Sequence, residues 1–224
     1  TNFQQEFSVL DDTYAQVNFF GISCIYTSSN ATKFYFDNIY FGNEIPPAVI
    51  NTPNVRSVVI NEIYADPTPS NGLPNVEYIE LYNADSLSFE LSGWKLVNSI
   101  TEKIIPPFTL LPNEYVIICD VTNTALFPNS IGIAALTALT NAGDSLTLLD
   151  INNNVIDIVS YTDSWYNSNE KSEGGWSFEQ INPYKICSGK LNWSASNNII
   201  GGTPGIQNSI FNITPDNAGP QLLD

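Results

Sequence analysis

The chain has 224 residues, 23 acidic against seven basic for a formal net charge of −16, and no histidine. Such a surface repels phosphate backbones and excludes nucleic-acid binding through a basic patch, while it would attract cations or keep an exported protein soluble. The missing imidazole excludes Ser-His-Asp and Cys-His nucleophile systems and every histidine ligand for zinc, copper or iron.

Hydrophobic residues at 43%, aromatics at 12%, 14 Pro and 13 Gly predict many short strands joined by tight turns. Residues 1–45 open with FSVLDD, QVNFFGISCIYTSS and KFYFDNIYFG. In the last run Phe34, Phe36 and Asn38 alternate with Tyr35, Asp37 and Ile39, a strand with aromatics on both faces. A turn at Asn30-Ala31 would make the two long runs a hairpin. A segment of this length cannot bury an adequate core alone.

Residues 46–56 are rich in Pro and Asn. Pro46, Pro47 and Pro53 each remove a backbone donor, so this stretch reads as a linker and a domain boundary. Strand signals then recur at short intervals. In VVINEIY, Val58, Ile60, Glu62 and Tyr64 share one face, and Val59, Asn61 and Ile63 the other. After the turn-rich ADPTPSNGLPN, VEYIELYN places Val76, Tyr78, Glu80 and Tyr82 opposite Glu77, Ile79 and Leu81. GWKLVN, EKIIPP, TLLPNEYVIICD, SLTLLDINNNVIDIVSY and WSFEQI follow. Asp150–Asn154 supplies the turn of a hairpin. The best helical candidate is IGIAALTAL near 131–139, and no apolar run is long enough to span a membrane. Short strands with Gly, Pro and Asn punctuation predict a sandwich. Cys24, Cys119 and Cys187 are too far apart for a CxxC site; Cys119 and Cys187 read either as a disulfide or as free buried thiols.

Taken in order, NEIYADP from Asn61, EYIELYN from Glu77, LSGWKLVN from Leu91, FTLLPNEYVII from Phe108, GDSLTLLD from Gly143, NWSAS from Asn192 and GGTPGIQNS from Gly201 resemble the bacterial lamin tail domain. The resemblance covers about residues 57–210. It implies an all-β fold, an immunoglobulin-like β-sandwich of a Bacteroidetes-type exported multidomain protein. It also implies that Trp94 is buried between the sheets and that Pro112-Asn113 forms a turn. The coiled-coil rod, basic surface and nuclear targeting run of the nuclear relatives are missing, so their scaffold role is not implied. FDNIYFG resembles the end of a jelly-roll module, which makes 1–45 the C-terminal strands of such a module; otherwise the hairpin packs on the second domain. FNITPDNAGPQLLD resembles the opening of another immunoglobulin-like module, which makes 211–224 a linker or the start of a following one. Both ends then read as cut from a longer protein.

The acids near the first two strands are the one constellation with chemistry in it. Calcium takes roughly six to eight oxygens, and Glu62, Asp66 and Glu80 are the candidate ligands, with carbonyls from loop Ala65–Asn75. Against this, DxDxDG spacing is missing, and Glu77 and Glu80 alternate to opposite faces. The alternative is that Glu80 and Asn83 bond loop backbone while the other acids are solvated. The same opposed faces argue against a glycosidase carboxylate pair. Trp165, Tyr166 and Trp176, around SWYNSNEKSEGGW, read as exposed rings able to stack on sugar or anchor a protein interface, with Trp165 and Tyr166 the candidate binding residues. In the alternative reading, Trp176 opens a strand as core and Trp193 packs under GGTPG. Gly174-Gly175 and Gly201-Gly202 read as turns, since no helix follows to hold a phosphate. Asp85-Ser86-Leu87 and Asp144-Ser145-Leu146 resemble a short O-glycosylation signal of exported proteins.

The expectation is a non-catalytic extracellular or cell-surface module of a Gram-negative exported protein. It would act as a spacer or an adhesion domain, with no cofactor unless calcium binds. Its expected partners are neighbouring domains of the same protein and a surface glycan or protein, without nucleic acid or membrane insertion. A carbohydrate- or protein-binding module, or an accessory domain of a secreted enzyme, is the alternative.

Overall fold

A computed structural model describes residues 51–136, 139–185 and 189–213. The expected hairpin of 1–45, the first half of the expected linker, Cys24, Cys187 and residues 214–224 lie outside the described residues. In chain order the strands are β1 (Val58–Tyr64), β2 (Tyr78–Asn83), β3 (Phe89–Glu90), β4 (Lys95–Val97), β5 (Glu102–Ile104), β6 (Thr109–Leu110), β7 (Tyr115–Asp120), β8 (Ser130–Ile133), β9 (Gly143–Leu149), β10 (Val155–Thr162), β11 (Phe178–Gln180) and β12 (Trp193–Ala195). Six of them form one sheet in the order β12-β11-β1-β2-β7-β8, and four form a second in the order β10-β9-β4-β5. β3 and β6 pair as a short ribbon. The result is the expected all-β, immunoglobulin-like sandwich.

Alternation explains most of this. From the six-stranded sheet, Val58, Ile60, Ile63, Ile79, Leu81, Val116, Ile118 and Phe178 enter the main core, where Leu96, Leu146, Leu148, Ile156, Val159 and Tyr161 meet them. Each such side chain contributes roughly 1.5–3 kcal/mol by leaving water. Trp94 lies in this core, with its ring centroid 6.4 Å from that of Phe89. Asn113 takes the left-handed turn conformation (φ 60°), which asparagine tolerates. The Asp150 carboxylate organises the β9–β10 hairpin by accepting from the Asn152 and Asn154 backbone and from Asn154 Nδ2.

Two segments differ from the sequence reading. Residues 130–133 form β8, parallel to β7, where a helical turn was the expectation. Ile131 and Ile133 are buried while their neighbours are less so, and that two-residue period suits a strand. In β1 the register shifts between Ile60, opposite Leu81, and Glu62, opposite Glu80. Asn61 is therefore the extra residue of a β-bulge. Strict alternation would keep Glu62 and Tyr64 on the face of Val58 and Ile60; the bulge turns them to the other side and brings Ile63 inward.

Residues 51–56, read as linker, are bonded to the sandwich. Asn51 Nδ2 donates to Ser88 O, and Arg56 N donates to Ile156 O. Cys119 is a buried free thiol. Among the described residues no helix is long and apolar enough to cross a membrane.

Candidate functional site

All seven side chains of β1 and all six of β2 are buried, so both faces of these strands are covered. One face meets the second sheet. The other is closed by the loop after β1 and by residues 202–210, the GTPGIQNSI strap. Under the loop, the Tyr64, Tyr78 and Phe127 rings contact one another, with centroids 5.2 and 5.1 Å apart along the chain of contacts. Leu73, Ile117 and Cys119 complete this smaller cluster.

Beneath the strap sit three carboxylates. Glu62 pairs with Glu179 across β1–β11 and with Glu80 across β1–β2, and all three are fully buried. Glu62 Oε1 accepts from Tyr78 OH (2.7 Å), Ser177 Oγ (2.6 Å) and Thr203 N (2.9 Å), and Oε2 accepts from Thr203 Oγ1 (3.3 Å). Glu80 accepts from Asn61 Nδ2 (2.8 Å) and Gly205 N (2.6 Å). Glu179 accepts from Thr203 Oγ1 (2.9 Å), Ser209 Oγ (2.7 Å) and Ile210 N (3.2 Å). Asn208 locks the arrangement, with Nδ2 donating to Asn61 O and Gln180 O. Gly202 packs so closely that an added Cβ would lie 2.5 Å from Glu62 Oε1 and 2.8 Å from Tyr78 OH.

Among the described residues, every donor to these three carboxylates is a hydroxyl, a carboxamide or a backbone N–H. Like charges opposite each other in a sheet repel, and burial without a cation disfavours ionisation. Burial, with Glu179 alongside, pushes Glu62 from 4.5 up to about 7 against the pull of its hydrogen bonds. Burial, then Glu62, hold Glu80 well above the ordinary carboxyl range. Burial and the neighbouring Glu62 also raise Tyr78. Glu62 and Glu80 therefore hold their protons to higher pH than ordinary carboxyls, and the cluster is a buried, hydrogen-bonded joint rather than an open acid surface.

The structure thus brings Glu62 and Glu80 together and leaves Asp66 out. Asp66 Oδ1 accepts from Thr68 N in the loop. Among the described residues no group of three or more His, Cys, Asp or Glu side chains is placed to hold a metal ion. Glu77 faces elsewhere, where its carboxylate accepts from Leu139 N.

Trp165 and Tyr166 are a correction to the sequence reading. They were expected to be exposed, but they occupy a short 3₁₀ helix (Asp163–Tyr166) and are 7% and 4% exposed. Tyr166 lies 4.1 Å from Phe178 between ring centroids and donates to Trp176 O; Trp165 lies 6.0 Å from Trp193. The polar text around them disguises a hydrophobic plug. Trp176 is partly buried, with Lys171 Nζ 4.6 Å from its ring centroid.

Sequence reasoning missed Glu179, Asn208 and the Arg56–Asp157 pair. One signal was available for the first: single acids set within largely apolar strands, as in VVINEIY, YIELYN and WSFEQI, mark buried acids once both faces are covered. A polar hollow of about 490 Å³, lined by Asp163, Ser164, Asn167, Ser168, Asn169 and Ser172, is open to solvent. Among the described residues that line it, Asp163 is the single acid, which does not make a catalytic pair.

A family model described as Lamin Tail Domain matches residues 51–163, about half of the chain. No curated protein matches it significantly.

Proposed function

Because this chain belongs to the lamin tail domain family, we propose that it serves as a non-catalytic extracellular or cell-surface module, a structural spacer or adhesion domain of a larger exported protein. The outer face of the four-stranded sheet supports this reading most. Val155, Leu149, Lys95 and Ile104 form one cross-strand row there, and Ile158, Thr147, Val97 and Glu102 the next. Ile104 is 63% exposed, Ile158 50% and Val155 41%. An exposed, largely β-branched face of this kind suits contact with another protein or a neighbouring module. The acids that could have suggested catalysis are sealed under the strap, which favours the non-catalytic side of the reading. The buried Trp165 and Tyr166 rings favour a protein over a glycan as the partner.

Two measurements test the reading together. Protease treatment of intact cells should cleave the module, and cleavage only after lysis would overturn the surface location. The purified chain should bind intact cells, and I104E/I158E should lose that binding while keeping its near-ultraviolet circular dichroism. Equal binding by the double variant would reject this face as the contact surface.

A further inference from the structure

We propose that residues 202–210 form a proton-held strap over the buried Glu62, Glu80 and Glu179 side chains, closed while Glu62 and Glu80 retain protons and released as those two ionise.

The geometry carries this in three steps. First, the strap GTPGIQNSI contains no titratable side chain, so it brings only neutral donors to the cluster. Its Thr203, Gly205 and Ile210 amides and its Thr203 and Ser209 hydroxyls are shared among all three carboxyls. Second, the titratable groups facing the cluster are themselves acidic. Glu179 approaches from β11, Glu80 and Tyr78 from β2, and Tyr115 on β7 responds to the charge of Glu80. Ionising Glu62 and Glu80 beside Glu179 therefore adds repulsion, and among the described residues no cation donates to these carboxyls to absorb it. Third, opening is local. The strap adds no strand to either sheet, so its release admits water to the carboxyls without breaking a ladder. Glu62 and Glu80 are both raised above the ordinary carboxyl range, which gives the direction: protons favour the closed form.

Hydrogen exchange on the whole chain, corrected for the intrinsic pH dependence of exchange, tests the proposal. With Glu62 at about 7 when closed, and full exposure restoring its ordinary 4.5 as the upper limit, the opening constant read at the Thr203, Gly205 and Ile210 amides should rise by between about tenfold and about seventyfold from pH 5 to pH 8. The Ile79 and Ile117 amides, in the middle of the same sheet, should stay far better protected than the strap at every pH, because they exchange only on global unfolding. E62Q keeps the shape and removes the charge, so at pH 8 its strap should remain at least about tenfold more protected than the wild type. Strap amides as well protected as the strand amides at every pH, or a strap opening constant that does not change with pH, would overturn the proposal, as would an E62Q strap that opens like the wild type. If E62Q does not fold, the wild-type profile decides alone. A strap opened by EDTA at pH 5 would show that an ion, not protons, closes it, and would equally overturn the proposal.

Discussion

Arg56 reaches across the seam between the two sheets to Asp157, with Nη1 2.7 Å from Oδ1 and both side chains buried. The other Asp157 oxygen accepts from Ile60 N, the residue just before the bulge, and Arg56 Nη2 donates to Pro183 O. One ion pair therefore joins the start of β1, the hairpin strand β10 and the segment after β11. Removing one partner of a buried pair leaves the other uncompensated. R56A should lower stability by about 3 kcal/mol. D157N, which keeps an acceptor for Ile60 N, should cost about half as much. Urea denaturation midpoints check both, and a loss below about 0.5 kcal/mol for R56A would mean the pair is idle.

Global stability should depend on pH in the sense set by Glu62. Its folded value, about 7, exceeds its unfolded reference of 4.5, so the folded state holds the proton more tightly. That contribution is complete below about 4.5 and disappears as pH climbs through 7; Glu80 acts in the same direction. The melting temperature should fall between pH 5 and pH 8, by the equivalent of roughly 2.5 kcal/mol from Glu62. Calorimetry on wild type and E62Q should show a flatter profile in the variant. A melting temperature that rises over this interval would contradict the buried-acid account.

Trp165 should behave as core. W165A should destabilise by about 3–5 kcal/mol, the usual range for an aromatic truncated in a packed interior. Y166F loses only its bond to Trp176 O and should cost about 1 kcal/mol. Thermal unfolding of both variants checks the ranking, and a silent W165A would restore the ring to the list of surface contacts.

Much of the fold was legible because it obeys local rules. The alternation of β2, the Pro112-Asn113 turn and the Asp150–Asn154 hairpin can each be read from a few neighbouring letters. The bulge at Asn61 cannot, since one extra residue leaves composition unchanged and reverses the face of everything after it. Glu62 is spotted as an acid in a strand, yet its partners are Ser177 and Thr203, 115 and 141 residues away. Trp165 was misplaced for a related reason. Its sequence neighbours are polar, while the rings that cover it come from Phe178 and Trp193.

The family match stops at residue 163, but the sandwich does not. β11 pairs with the bulged strand β1, and Phe178 and Trp193 belong to the main core. A chain ending at Asp163 should therefore lack cooperative unfolding and bind ANS, with near-ultraviolet circular dichroism lost. A sharp thermal transition in that truncation would show the remaining strands to be dispensable.

The two-sided burial of β1 has a consequence for tolerance to change. β10 alternates exposed and buried positions over most of its length, so a saturation scan across Val155–Thr162 should show permissive columns interleaved with strict ones. Across Val58–Tyr64 the permissive columns should vanish: the core constrains one side and the carboxyl joint the other. VVINEIY is a stretch of text with no silent letters.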